Sequence, residues 1–153
     1  MCKVRRKVRF RGLIKSGFHT LIGKTVDLSR FRLIEISDHL SDCIWDEVQG
    51  WNRFNQDTVG KQLTRAADSI SANLSEAFGR YSFPDRKRFS YFARGSLCET
   101  MNWVGKATRR KLLAPEKGEE LLTSLKDISF KLNYYIRSLN TSQSNLSKPT
   151  FLK

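Results

Sequence analysis

The stretch Arg65–Arg80, R-A-A-D-S-I-S-A-N-L-S-E-A-F-G-R, holds the residue types with most capacity for chemistry. Arg65, Ser69, Asn73, Glu76 and Arg80 recur at spacings of 4, 4, 3 and 4. A helix places all five on one face. Beside them Leu63, Ala66, Ala67, Ile70, Leu74 and Phe78 form an apolar face at helical spacing. Ser and Asn are mediocre helix formers, so propensity alone does not account for the polar stripe. Two roles fit it: a solvated face with small residues that permit close packing, or a partly buried polar network or ligand groove. The following helix offers Arg94, Ser96 and Glu99. These are expected to meet Asn73, Glu76 and Arg80 in a shared polar network, with a structural rather than catalytic role.

Catalytic constellations are otherwise missing. The two histidines, His19 and His39, have no metal-ligand spacing to a second pair of ligands. Neither G-x-S-x-G nor G-x-x-x-x-G-K occurs. A di-metal site in a helical bundle needs several inward glutamates and two Glu-x-x-His motifs. Glu76 and Glu99 are the only acids expected to face inward. No enzyme activity, metal site or cofactor is therefore expected. Cys2, Cys43 and Cys98 are odd in number and lack C-x-x-C spacing, which suits a reducing compartment, and the cytoplasm is the expected location. No apolar run approaches the ~18 residues of a membrane span.

The basic residues are the stronger lead. The chain of 153 residues carries a net charge of +13, with a pI near 10.1. Residues 1–32 hold ten bases and one acid, residues 33–57 one base and six acids, and residues 58–113 eleven bases and four acids. A surface of this kind attracts polyanions, nucleic acid first. Arg86, Lys87 and Arg88 open one helix, and Arg109, Arg110 and Lys111 close it, about 35 Å away. Arg5, Arg6 and Lys7 add a third cluster near the N-terminus. Tyr81, Phe83, Tyr91 and Trp103 lie near these charges, either to stack on unpaired bases or to serve as core and interface aromatics.

Four amphipathic segments position these residues. Leu33, Ile36, Leu40, Ile44, Val48 and Trp51 mark a first helix over about 32–51. A second is predicted from an N-cap at Asp57 or Thr58 to Phe78, with Gly79 as its stop. Ser82 caps a third, predicted over 84–113, with Pro84 at its first position. Its inward face is predicted to comprise Phe89, Phe92, Ala93, Ser96, Leu97, Thr100, Val104 and Ala107. Gly95 costs this helix about 1 kcal/mol relative to Ala, which points to a close helix crossing there. The fourth, predicted over 115–139, carries the heptad-like seam Leu121, Leu125, Ile128, Leu132, Tyr135 and Leu139. The prediction is an all-α, antiparallel up-and-down four-helix bundle over 32–140. A basic arm, 1–31, precedes it, and a disordered polar tail, 141–153, follows.

Gln62–Arg80, Q-L-T-R-A-A-D-S-I-S-A-N-L-S-E-A-F-G-R, together with Arg88–Thr100, R-F-S-Y-F-A-R-G-S-L-C-E-T, closely resembles the four helix bundle protein family. That family is also called the S23 or 23S rRNA intervening-sequence protein family. Its hallmarks are an R-A-x-x-S-I-x-A-N-I-x-E-G-x-G-R helix followed by an A-R-G-S-L-x-E helix. The resemblance spans about Leu33 to Leu139 and leaves the arm outside. Leu74 and Ala77 depart from the usual Ile and Gly, and Ser71 stands where many members have Pro, which implies a straighter second helix. The resemblance implies a ring-like homopentamer. It also implies kinship with the accessory variability protein of diversity-generating retroelements, a basic bundle that associates with a reverse transcriptase and with nucleic acid. The family's ribosomal label records a gene location within ribosomal RNA genes for some members.

An aromatic excess over what one core needs (Trp45, Trp51, Trp103, Tyr134 and Tyr135) independently predicts a homo-oligomer. The expected function is non-enzymatic binding of RNA or single-stranded DNA, or nucleoprotein assembly, through a basic bundle surface. The alternative is a protein-binding scaffold or accessory subunit, for example to a reverse transcriptase, whose partner supplies the chemistry. No membrane is expected among the partners.

Overall fold

The computed structural model describes the backbone of residues 28–146 and the side chains of residues 32–139. Four long helices, α1 (Leu28–Gln49), α3 (Lys61–Gly79), α4 (Phe83–Arg109) and α5 (Pro115–Leu146), form the bundle. Short connections and packing of α1 on α3, α3 on α4, α4 on α5 and α5 back on α1 give the up-and-down order. Among the described residues there is no strand.

The core follows the apolar stripes. Leu40, Ile44 and Val48 of α1 meet Leu63, Ile70 and Leu74 of α3, Leu97 and Val104 of α4, and the seam Leu121 to Leu139 of α5. Fully buried Ser37, Ser90 and Thr100 donate to the carbonyls four residues back, at 2.8, 2.7 and 2.8 Å. Such back-bonding satisfies each hydroxyl on its own helix, so it needs no partner across the core. Ser90 was not among the predicted inward residues, whereas Phe92 was; Phe92 is half exposed and belongs to the surface.

Several boundaries differ from the sequence-based expectation. Helix α1 begins at Leu28, four residues before the expected start at 32, and ends at Gln49 rather than 51. The expected turn at 52–57 is itself helical. Asn52 accepts from the Asn55 amide at 3.0 Å and caps a short turn, α2 (Arg53–Asn55), which continues through a π-turn, Gln56–Gly60, into α3. The cap therefore lies at Asn52, not Asp57 or Thr58; Asp57 pairs with Arg53 and the Thr58 hydroxyl donates to the Phe54 carbonyl. At the far end α4 stops at Arg109 rather than 113. Lys111 adopts φ 57°, the Lys111 amide donates to the Thr108 carbonyl, and the Leu112 amide donates to the Ala107 carbonyl. This is a Schellman turn with lysine where glycine is usual. It folds buried Leu113 back onto the core. Finally, α5 runs on to Leu146 through residues expected to begin the tail. The remaining tail and the arm to residue 27 lie outside the described residues.

The predicted close crossing is at another glycine. A Cβ on Gly95 would meet nothing within 4 Å. Gly118, in the first turn of α5, is crowded against α4: a Cβ there would overlap the Thr108 hydroxyl and lie 3.2 Å from its methyl. With open space and an ordinary helical backbone at position 95, Gly95→Ala is expected to stabilise the protein by about 0.5–1 kcal/mol. Thermal denaturation checks this as a rise in Tm of a few degrees.

Candidate nucleic-acid interface

The polar stripe of α3 is a surface feature with two ties to α4, a hydrogen bond from Asn73 and a ring contact from Arg80. Asn73 donates to the Ser69 carbonyl at 2.7 Å and lies 3.4 Å from the Ser96 hydroxyl, bridging the two helices. Ser69 and Ser96 donate to the Arg65 and Phe92 carbonyls on their own helices. Glu76 pairs with Arg80 one turn on, both nearly half exposed, rather than with Arg94. Arg94 turns to Tyr91, and Glu99 accepts from the Trp103 indole at 3.3 Å. Arg65 is exposed. The buried Glu–Arg network expected from the spacing is thus replaced by local pairs in water. A surface pair of this kind contributes under about 1 kcal/mol. The cause is angular: the polar stripe lies just past the edge of the α3–α4 contact, so only Asn73 hydrogen-bonds across, and Arg80 at its end reaches a ring rather than an acid.

Where α3 hands over to α4, basic and aromatic side chains interleave. Ser82 accepts from the Asp85 amide at 3.2 Å and donates to its carboxylate at 2.7 Å, which fixes the start of α4. Arg86 Nε donates to the Arg80 carbonyl at 2.6 Å, and its guanidinium lies 5.6 Å from the Phe83 ring. Arg86 therefore satisfies an orphan carbonyl at the end of α3. That assigns it a structural role within the predicted cluster Arg86, Lys87 and Arg88. Arg80 and Arg88 lie over Phe89, at 4.8 and 5.4 Å from its centroid. Lys87 and Arg94 share the Tyr91 ring, at 5.8 and 4.8 Å. Tyr81, 97% exposed, projects from the link between the helices. Each exposed cation–π contact contributes about 0.5–1 kcal/mol, and all of them leave the charged heads in water.

The outward face of α4 carries this pattern at both ends, with no cation between Arg94 and Lys106. Arg88, Tyr91, Gly95, Asn102, Lys106 and Arg109 recur at spacings of 3, 4, 7, 4 and 3, one stripe opposite the buried Ala93, Leu97, Val104 and Ala107. Lys106 lies 4.1 Å over the Trp103 ring, one turn before Arg109, and extends the second predicted cluster. Sequence inspection missed it, although its position three residues after Trp103 was the available signal. Glu99 is the lone acid on this face. Arg109 and Arg110 are exposed at the far end, beside the Schellman turn that occupies the backbone of Lys111. Arg5, Arg6 and Lys7 lie outside the described residues. Among the described residues no group of His, Cys, Asp and Glu is placed to hold a metal ion, and no helix is long and apolar enough to cross a membrane.

Fold and surface together define a four-helix bundle with a basic, aromatic outer helix. The family profile described as 23S rRNA-intervening sequence protein matches residues 30–134, and the chain belongs to that family. Among solved structures it is similar to a Bacteroides thetaiotaomicron protein of unknown function from the S23 ribosomal protein family. The two share 21% identity over 71% of this chain and 98% of that one, with a TM-score of 0.64, a likeness of fold. None of the curated proteins matches the chain.

Proposed function

We propose that the protein is a non-enzymatic, cytoplasmic, nucleic-acid-binding or nucleoprotein-assembly protein that takes RNA or single-stranded DNA along the outward face of α4. The observation that carries this reading is the interleaving of Lys87, Arg88, Arg94, Lys106 and Arg109 with Tyr91, Phe92 and Trp103. A single strand presents phosphates to the cations and unpaired base faces to the rings. Phosphate neutralisation releases counterions, so affinity is electrostatic, with little base readout. With the exposed Arg110 just past the helix end these cations number six, and six phosphate contacts predict a fall in affinity for a labelled single-stranded RNA of roughly 300-fold between 50 and 200 mM salt. Fluorescence anisotropy measures it; a flat salt response would sink the reading.

A second reading, a protein-binding scaffold or accessory subunit, is favoured by a different surface. Phe130 and Tyr134 stand one turn apart on α5, 76% and 72% exposed, and Phe54 is 75% exposed. Unpaired aromatics of this size mark interfaces. The nearest occupant is another copy of the chain, in a homo-oligomer expected to be a pentamer. Light scattering at micromolar concentration is expected to give five times the protomer mass of 17.7 kDa. Phe130→Ser with Tyr134→Ser is expected to lower that mass; a protomer mass in the unaltered protein would refute self-assembly.

A further inference from the structure

The four seams of the bundle are unequal, and the seam between α1 and α5 is the loosest. A groove of about 510 Å³ opens there. Ile36, Leu40, Leu121 and Ile128 form its floor, and Glu35, Glu120 and Asp127 stand on its two sides, Glu120 shared with Lys117 and Asp127 with Lys131 in pairs along α5 that an incoming cation would join or displace. An apolar floor between carboxylates is unusual in a chain of net charge +13. It selects a ligand of the opposite pattern, apolar side chains alternating with cations.

This chain contains that pattern. Lys7-Val8-Arg9-Phe10-Arg11 alternates base and apolar residue, and Lys3 to Arg11 holds six bases and no acid. In an extended segment alternate side chains take opposite faces. Val8 and Phe10 then share one face, while Lys7, Arg9 and Arg11 have stems long enough to reach sideways to carboxylates. Five extended residues span about 16 Å. The groove, from Glu35 to Cys43 along α1, covers eight residue steps, about 12 Å. The sixteen residues from Gly12 to Asp27 connect this segment to α1 and can span up to about 50 Å, against the ~10 Å from Leu28 to Glu35.

We propose that the groove between α1 and α5 is a docking site for residues 7–11 of the same chain, with Val8 and Phe10 on the apolar floor and Lys7, Arg9 and Arg11 against Glu35, Glu120 and Asp127. The proposal stands apart from nucleic-acid binding, because it assigns the arm an internal acidic partner and is tested with no nucleic acid present.

The test joins two readouts on the full chain. A carbodiimide links an amine directly to a carboxylate in contact with it. Equal amounts of isotopically light and heavy protein, unfolded and refolded together, are crosslinked and digested. The expected product joins Lys7 to Glu35, Glu120 or Asp127 in all-light and all-heavy pairs. Mixed light–heavy pairs would place the arm on a neighbouring copy and overturn docking within one chain. Loss of any link from Lys7 to these acids would overturn the site itself. In parallel, trypsin cleavage after Arg9 and Arg11 is timed. Docking slows it, and both Val8→Asp with Phe10→Asp and the triple change Glu35→Gln, Glu120→Gln, Asp127→Asn are expected to speed it at least tenfold. Equal cleavage rates in all three proteins, each with an unchanged helical spectrum, would refute the proposal.

Discussion

Changing Lys87, Arg88, Arg94, Lys106, Arg109 and Arg110 together to glutamate is expected to abolish binding of single-stranded RNA, with a loss of at least two to three orders of magnitude at 50 mM salt. Six cations on one outward face each release about 0.7 of a counterion on meeting a single strand, so removing them removes most of the salt dependence as well. Reversal goes further than neutralisation, because glutamates repel phosphates. Lys87, Arg88, Arg94, Lys106 and Arg109 project from α4, and Arg110 is exposed just past its end. Loss of their cation–π contacts costs a few kcal/mol in total at most, so a helical spectrum is retained. Arg86 is left unchanged because it holds the Arg80 carbonyl. An Arg86→Glu variant would loosen the α3–α4 corner and mix folding with binding. Retained affinity in the six-residue variant would discard the α4 face as the interface. Tyr91→Ala and Phe92→Ala separate stacking from charge. Each is expected to weaken binding by about 1–3 kcal/mol per stacked base while leaving the salt slope in place.

Gly118→Ala is the second large effect, and it acts on the fold. The added Cβ overlaps the Thr108 hydroxyl and sits 3.3 Å from its Cβ, an atom that cannot rotate away. Thr108 is held in turn, since its hydroxyl donates to the Val104 carbonyl at 2.9 Å. Overpacking of this kind costs about 1–3 kcal/mol, or about 3–10 °C in Tm for a domain of this size. Thr108→Ala removes the hydroxyl and methyl that collide, so the double variant Thr108→Ala with Gly118→Ala is expected to recover most of the loss. The coupling in that double-mutant cycle measures the crossing directly. A Gly118→Ala protein that melts like the unaltered one would show that α4 and α5 separate there at little cost. The same substitution at Gly95 carries the opposite expected sign, because the space around that position is open.

The arrangement of charge also explains how a strongly basic protein keeps an acidic side. Glu35, Asp38, Asp42 and Asp46 lie on α1 and form no ion pair among the described residues, whereas Glu47 reaches Lys117 at 3.7 Å across to α5. The basic face of α4 is on the opposite diagonal of the bundle, separated from α1 by α3 and α5. The two signs therefore do not cancel, and a polyanion and a basic segment meet different faces.

The amino-acid sequence by itself determined the four helices, their order and most of the core, because apolar residues at 3 and 4 spacing have one way to be buried against three similar neighbours. Leu33 to Val48, Leu63 to Leu74 and Leu121 to Leu139 were legible on that ground. So were the Ser82 cap, whose residue types act locally, and the family, whose two motifs lie in contiguous sequence. The remainder depended on angles between helices, which periodicity does not encode. The spacing of Glu76 and Arg94 allowed a buried pair, but the rotation of α3 against α4 leaves Glu76 with Arg80 in water. Gly95 and Gly118 look alike in sequence, and only the approach of α5 to Thr108 makes one of them indispensable. Arg86 reads as one of three equal cations until the turn out of α3 brings the Arg80 carbonyl to its guanidinium. Secondary structure here is set by local pattern; which polar groups meet is set by helix rotation and crossing, and those exist only in the assembled bundle.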